Sequence, residues 1–201
     1  MRCRMHAIAS RASSVRKTPK RADVKLLIAV PVFLVVLILD LITKAVAVSV
    51  LAPSGAPISV IGEWFRFALV YNPGAAFGLH LGEYSRWLFM VLTGVALVVL
   101  WRLLRQSAEG DVRRLLAIAL VAAGAVGNVI DRIRSELGVV DFIDIGIGLH
   151  RWPTFNVADI AVSSGAFLLA IVLWREERDE VARAAADQAT LATSSRSADI
   201  S

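Results

Sequence analysis

The chain is poor in the residues that build most metal and thiol sites. Of 201 residues, one is cysteine (Cys3) and three are histidine: His6, His80 and His150. A lone cysteine excludes an intrachain disulfide and any zinc site made of several thiolates. A catalytic thiol needs a histidine partner, and Cys3 lies in a polar tail, so thiol chemistry is set aside. The histidines are scattered over tail and loops, which argues against a zinc centre; no metal and no cofactor is expected. Aromatic residues are also scarce, at 7%. A cleaved signal peptide is not expected, because the first apolar run is too long and no small-x-small site closes it.

What the chain has is aliphatic mass. Hydrophobic residues make up 57% of it, and mean hydropathy is +0.65. That much apolar surface calls for a membrane as solvent. Four stretches are long and apolar enough to span a bilayer as helices: about Val24 to Val48, Ser85 to Leu104, Leu115 to Ile133, and Asn156 to Trp174. The third is rich in Ala and Gly, which lets neighbouring helices approach closely.

The net charge of +5 is unevenly spread. Arg2, Arg4, Arg11, Arg16, Lys17, Lys20, Arg21 and Lys25 precede or open the first apolar run, opposed only by Asp23. A basic tail can bind nucleic acid, but the positive-inside rule explains it as a cytoplasmic anchor, and no nucleic-acid partner is expected. Arg102, Arg105, Arg113 and Arg114 between the second and third helices mark a second cytoplasmic segment. Segments 49–84 and 134–155 are then external, and both termini are cytoplasmic. In the first external segment, Pro53, Gly55 and Pro57 are followed by β-prone runs, Ile58–Ile61 and Trp64–Tyr71. The expected architecture is an all-α membrane protein of four transmembrane helices with a small extracytoplasmic β-sheet platform. Residues 1–23 form a basic tail, 24–174 the membrane domain, with its β segment at about 52–84, and 175–201 a charged tail expected to begin as a short helical extension and to end disordered.

Ionisable groups inside a bilayer are costly and ask for a function. Three of the helices carry an aspartate: Asp40, Asp131 and Asp159. Counted from the basic or aromatic inner end of each helix, all three lie about 22–24 Å along the axis. A shared depth near the outer edge of the hydrocarbon indicates one polar site between helices. Asn128 and Asn156 each precede an aspartate by three residues, on the same helical face, and Lys44 follows Asp40 by four. Two facing carboxylates can hydrolyse a peptide bond, because crowding raises one pKa and leaves an acid beside a base. Ser163 and Ser164 have no histidine in a helix to activate them and are expected to bond carbonyls of their own helix. Spacing alone leaves a proton-coupled transporter, a protease and a non-enzymatic assembly factor open.

The local words separate these readings. Asp40-Leu-Ile-Thr-Lys44, Asn72-Pro-Gly-Ala-Ala-Phe-Gly78, Gly127-Asn-Val-Ile-Asp-Arg132, Val139-Val-Asp-Phe142 and Phe155-Asn-Val-Ala-Asp159 occur in this order. Together, over roughly residues 26 to 174, they resemble lipoprotein signal peptidase, the type II bacterial signal peptidase. The resemblance implies an aspartyl endopeptidase of the bacterial inner membrane, inhibited by the cyclic peptide globomycin. Its substrate would be a diacylglyceryl-prolipoprotein, cut N-terminal to the lipidated cysteine, and membrane lipid its other partner. It implies a catalytic dyad of Asp141 and Asp159; depth alone had offered Asp131. It assigns supporting or substrate-binding roles to Asp40, Lys44, Asn72, Gly74, Asn128, Asp131, Arg132 and Asn156. Asp131 and Arg132 are adjacent, and a structural ion pair is the alternative to that role. Asp144 reads as an accessory group or a solvated loop charge. One chain holds every residue of this site, so a monomer is expected.

Overall fold

The computed structural model describes residues 21–74, 84–108 and 110–198. Most of the basic N-terminal tail, residues 75–78 of the Asn-Pro-Gly word, His6, His80 and the last residues of the C-terminal tail lie outside the described residues. Four helices are long and apolar enough to cross a membrane. They are α1 (Arg21–Leu51), α2 (Ser85–Gln106), α3 (Val112–Arg134) and α4 (Val157–Ala198). Among the described residues four strands lie in the connections: β1 (Ile58–Ile61) and β2 (Phe65–Asn72) after α1, and β3 (Val139–Ile147) and β4 (His150–Arg151) after α3.

α3 is the centre of the bundle. Of its most apolar window 39% is buried, against 6% for α2, whose Trp87, Val91 and Val95 face outward. The Ala- and Gly-rich sequence is the reason. Ala117, Ala119, Ala123, Gly124 and Gly127 bury one stripe of α3 against its neighbours, and small side chains let backbones approach where lipid supplies no hydrophobic drive. A Cβ on Gly127 would collide with the Asp40 carboxylate, and one on Gly124 with the Ala158 carbonyl.

The sheet is antiparallel throughout, in the order β1-β2-β3-β4. Only its first half was legible as strand. The connection between α3 and α4 supplies β3, which is buried from Val139 to Phe142 and lies beside β2 with Val70 opposite Asp141 and Asn72 opposite Val139. Gly138, just before β3, holds φ +102 against the Asn72 carbonyl, a backbone and a clearance that a side chain would spoil. Phe142 packs with Ala47 and Leu51 of α1, tying the sheet to the bundle. The C-terminal helix also exceeds expectation: it runs 42 residues, past Trp174 to Ala198, so the extension is not short. Good helix formers such as Glu, Arg and Ala fill that stretch.

Candidate active site

Two helix ends and one strand converge under the sheet. Asn156 precedes α4, and its Oδ1 accepts from the Asp159 backbone N–H at 2.9 Å. The Asp159 Oδ2 accepts in return from the Asn156 N–H at 3.1 Å. This reciprocal pair is a capping box, which satisfies two of the unpaired donors at a helix N-terminus. Local folding thus fixes the Asp159 side chain at the mouth of α4. Its other oxygen, Oδ1, accepts from Asn128 Nδ2 at 2.8 Å.

Asp141 comes from β3 and is 2% exposed. Its Oδ1 accepts from Asn156 Nδ2 at 2.7 Å and its Oδ2 from Asn72 Nδ2 at 3.2 Å. Asn156 therefore touches both carboxylates, one through its amide and one through its backbone. Burial, and then the negative charge of Asp159, push the Asp141 carboxyl up to about 7. Its hydrogen bonds from Asn72 and Asn156 and the charge of Lys44 pull the other way and do not prevail.

Behind the carboxylates lies a cation with three partners. Lys44 Nζ sits 2.8 Å from Asp40 Oδ2, 2.8 Å from Asp131 Oδ2 and 2.9 Å from Asn128 Oδ1. Asp40 Oδ1 accepts from the Ala158 N–H at 2.9 Å, another free donor of the α4 terminus. Asp131 Oδ2 accepts from the Val140 N–H at 3.3 Å and so pins the start of β3. Asp131 and Arg132 do not pair with each other, which sets the ion-pair alternative aside. Neighbours in a helix point about 100° apart. Asp131 turns inward to Lys44, while Arg132 bonds the Asn128 carbonyl at 3.2 Å and stacks on Phe89, its carbon 5.4 Å from the ring centre.

All ten residues singled out from the sequence therefore meet in one hydrogen-bonded cluster. Gly74 belongs to it through its N–H, which donates to Asn72 Oδ1 at 3.0 Å. The cluster opens into a cavity of about 630 Å³ that Asp141, Asp159, Arg132 and Asn72 line together. The apolar part of its wall was not foreseen: Phe89 of α2, Trp152 to Phe155 after β4, and Ile160. Trp152-Pro153 in the connection before α4 was the available signal. Ser163 also faces the cavity, one turn from Asp159. Ser164 donates to the Ile160 carbonyl at 2.6 Å, as a helical serine does.

Asp144 is neither solvated nor part of this cluster. It is buried on β3 between two guanidinium groups, with Arg66 Nη2 at 2.6 Å and Arg151 Nε at 2.5 Å. Burial raises its pKa, but the hydrogen bonds from Arg151 and Arg66 outweigh that and hold it below the ordinary value of 3.8. A depressed carboxyl contributes stability above its ordinary pKa and loses it as pH falls through the folded value. Asp144→Asn is expected to cost about 1–3 kcal/mol, since the charge between two half-buried guanidinium groups is lost and one of them loses its acceptor. Thermal unfolding in detergent checks it, and the cost should shrink as the pH drops below about 4.

Comparison with known proteins adds a family. A model described as signal peptidase (SPase) II matches residues 32–175. The chain is 39% identical over 175 residues to the lipoprotein signal peptidase of Mycobacterium tuberculosis H37Rv, covering 84% of this chain and 80% of that one. It is 38% identical over 173 residues to that of Mycolicibacterium smegmatis, covering 83% and 70%. A bacterial membrane enzyme solved by the in meso method at 2.3 Å resolution superposes with a TM-score of 0.64 at 31% identity, over 75% of this chain and 90% of that one.

Proposed function

Because the chain belongs to the signal peptidase (SPase) II family, we propose that it is an aspartyl endopeptidase that removes the signal peptide from diacylglyceryl-modified prolipoproteins. The cut falls on the N-terminal side of the lipidated cysteine. One observation carries the aspartyl part: Asp141 and Asp159 face the same cavity and are bridged by Asn156.

The pair enters the reaction with one proton. Asp141, whose carboxyl is pushed up to about 7, holds it. Asp159 takes a proton from water, and the hydroxide oxygen bonds to the scissile carbonyl carbon as Asp141 gives its proton to the carbonyl oxygen. Collapse of the resulting gem-diol breaks the C–N bond. The proton on Asp159 goes to the departing amine of the cysteine, and a gem-diol hydroxyl returns one to Asp141. Arg132, Asn72 and Gly74 line the same cavity and would bind the substrate backbone.

The wider setting is part of the same proposal. The basic ends of the helices lie in the cytoplasm, so both termini are cytoplasmic, and the carboxylates reach the outer face of the inner membrane. Acyl chains of the substrate stay in lipid while the scissile bond meets the site. A single chain supplies the dyad and works as a monomer; the membrane domain spans about residues 24–174, flanked by tails.

The test is purified chain in liposomes, given a diacylated precursor and the same precursor without lipid, with cleavage read as a gel shift. Cleavage of the diacylated form alone, blocked by globomycin, is expected. No cleavage of it, or equal cleavage of both forms, would overturn the substrate assignment.

A further inference from the structure

At the basic end of the bundle, opposite the carboxylates, the structure contains a slot that the peptidase reading does not use. α1 and α2 each pack on α3 but make little contact with each other. The gap between them is an apolar groove of about 250 Å³. Ala29 and Phe33 of α1 form one wall, Leu100 and Leu104 of α2 the other, and Ala119 and Ala122 of α3 the floor. The alanines make it deep: larger side chains on the floor would fill it.

The mouth of the groove is cationic. Lys25 Nζ reaches across from α1 to donate to the Arg105 carbonyl at the end of α2, at 3.1 Å. That bond uses one of its three donors. The Arg105 guanidinium lies over the Trp101 ring, its carbon 5.7 Å from the ring centre, which holds it beside the groove. Arg102 lies three residues earlier on α2. Two of the acids at this end are engaged with α3: Asp111 caps it through the Arg114 N–H, and Glu176 pairs with Arg114 at 2.9 Å. Among the described residues, no carboxylate pairs with Lys25, Arg102 or Arg105.

We propose that this α1–α2 groove binds one anionic phospholipid, its acyl chain lying along Ala29, Phe33 and Ala122 and its phosphate held by Lys25 and Arg105. An open apolar slot facing a bilayer forfeits dispersion contacts unless hydrocarbon fills it. A basic pocket between transmembrane helices at membrane depth selects an anionic headgroup. A zwitterionic lipid offers the same chain, but its own cation opposes the lysine and arginine. The site is separate from the dyad and stands whether or not the substrate assignment does.

The experiment is native mass spectrometry of the full chain in detergent, with phosphatidylglycerol or phosphatidylcholine of identical acyl chains added. Wild type is expected to retain one phosphatidylglycerol, with about tenfold preference over phosphatidylcholine. Ala122→Phe, which fills the floor, should reduce retention of both lipids. The double variant Lys25→Gln, Arg105→Gln should keep retention but lose the preference, with folding of each variant checked by its melting curve. Equal retention of the two lipids by wild type, or a preference unchanged in the double variant, would overturn the proposal. Should Ala122→Phe fail to fold, the double variant still decides.

Discussion

Asp141→Asn and Asp159→Asn are each expected to lower the rate of precursor cleavage by about a thousandfold or more while leaving the protein folded. Asparagine has nearly the shape of aspartate but cannot take a proton from water or share one. At 141 it keeps an acceptor for Asn156 and places an amide where Asn72 donates, while the buried charge is gone. At 159 it keeps one acceptor for either Asn128 or the Asn156 N–H. Each change therefore disturbs about one hydrogen bond, a cost of about 1 kcal/mol. Because the two carboxyls act as a unit, the double variant should be no slower than the slower single one. Initial rates from the gel shift, beside melting curves, check all three. A single variant with near-normal activity would move the chemistry elsewhere.

Lys44→Met is the substitution with the largest expected effect on stability. Lys44 is 3% exposed and is the ion-pair partner of both Asp40, fully buried, and Asp131. Methionine fills much of the volume, so the loss is electrostatic. Two carboxylates would remain in a low-dielectric interior without their cation, and removing one partner of a buried pair costs about 3–5 kcal/mol. A fall of about 10 °C in melting temperature is expected. Activity should fall as well, since Asn128 loses one of the two bonds, from Lys44 and Asn156, that orient its amide toward Asp159. Adding Asp40→Asn should recover part of the stability, because it removes one stranded charge. A melting temperature within a degree of wild type would show that the cation does not hold these helices together.

The helices were legible in the sequence because hydrocarbon leaves little choice: a run of about 20 apolar residues must satisfy its backbone as helix. The shared depth of Asp40, Asp131 and Asp159 pointed to the end of the bundle where the structure joins these side chains through Lys44 and Asn128. The strand β3 between α3 and α4 was missed. Val139–Ile147 is rich in β-branched residues, but two aspartates and a glycine interrupt it, and its partner β2 lies about 70 residues away. Pairing over such a distance has no local signature. The same blindness explains Asp144. Arg66 and Arg151 meet it only because β2 and β4 flank β3. Helix depth alone favoured Asp131 as a dyad member, while the family words favoured Asp141; in the structure Lys44 and the Val140 N–H occupy Asp131, and Asp141 is the carboxylate that faces the cavity.

The shared proton is best tested by the pH dependence of kcat/KM for cleavage, which reports ionisations of the free enzyme. Asp141 has its carboxyl raised to about 7 by burial and by Asp159, so the protonated, competent form persists to neutral pH and is lost above it. The account predicts a rate that declines tenfold per unit once the pH passes about 7, in wild type. A profile that stays flat from about pH 6 to pH 9 would contradict it, because the pair would then hold no proton whose loss matters.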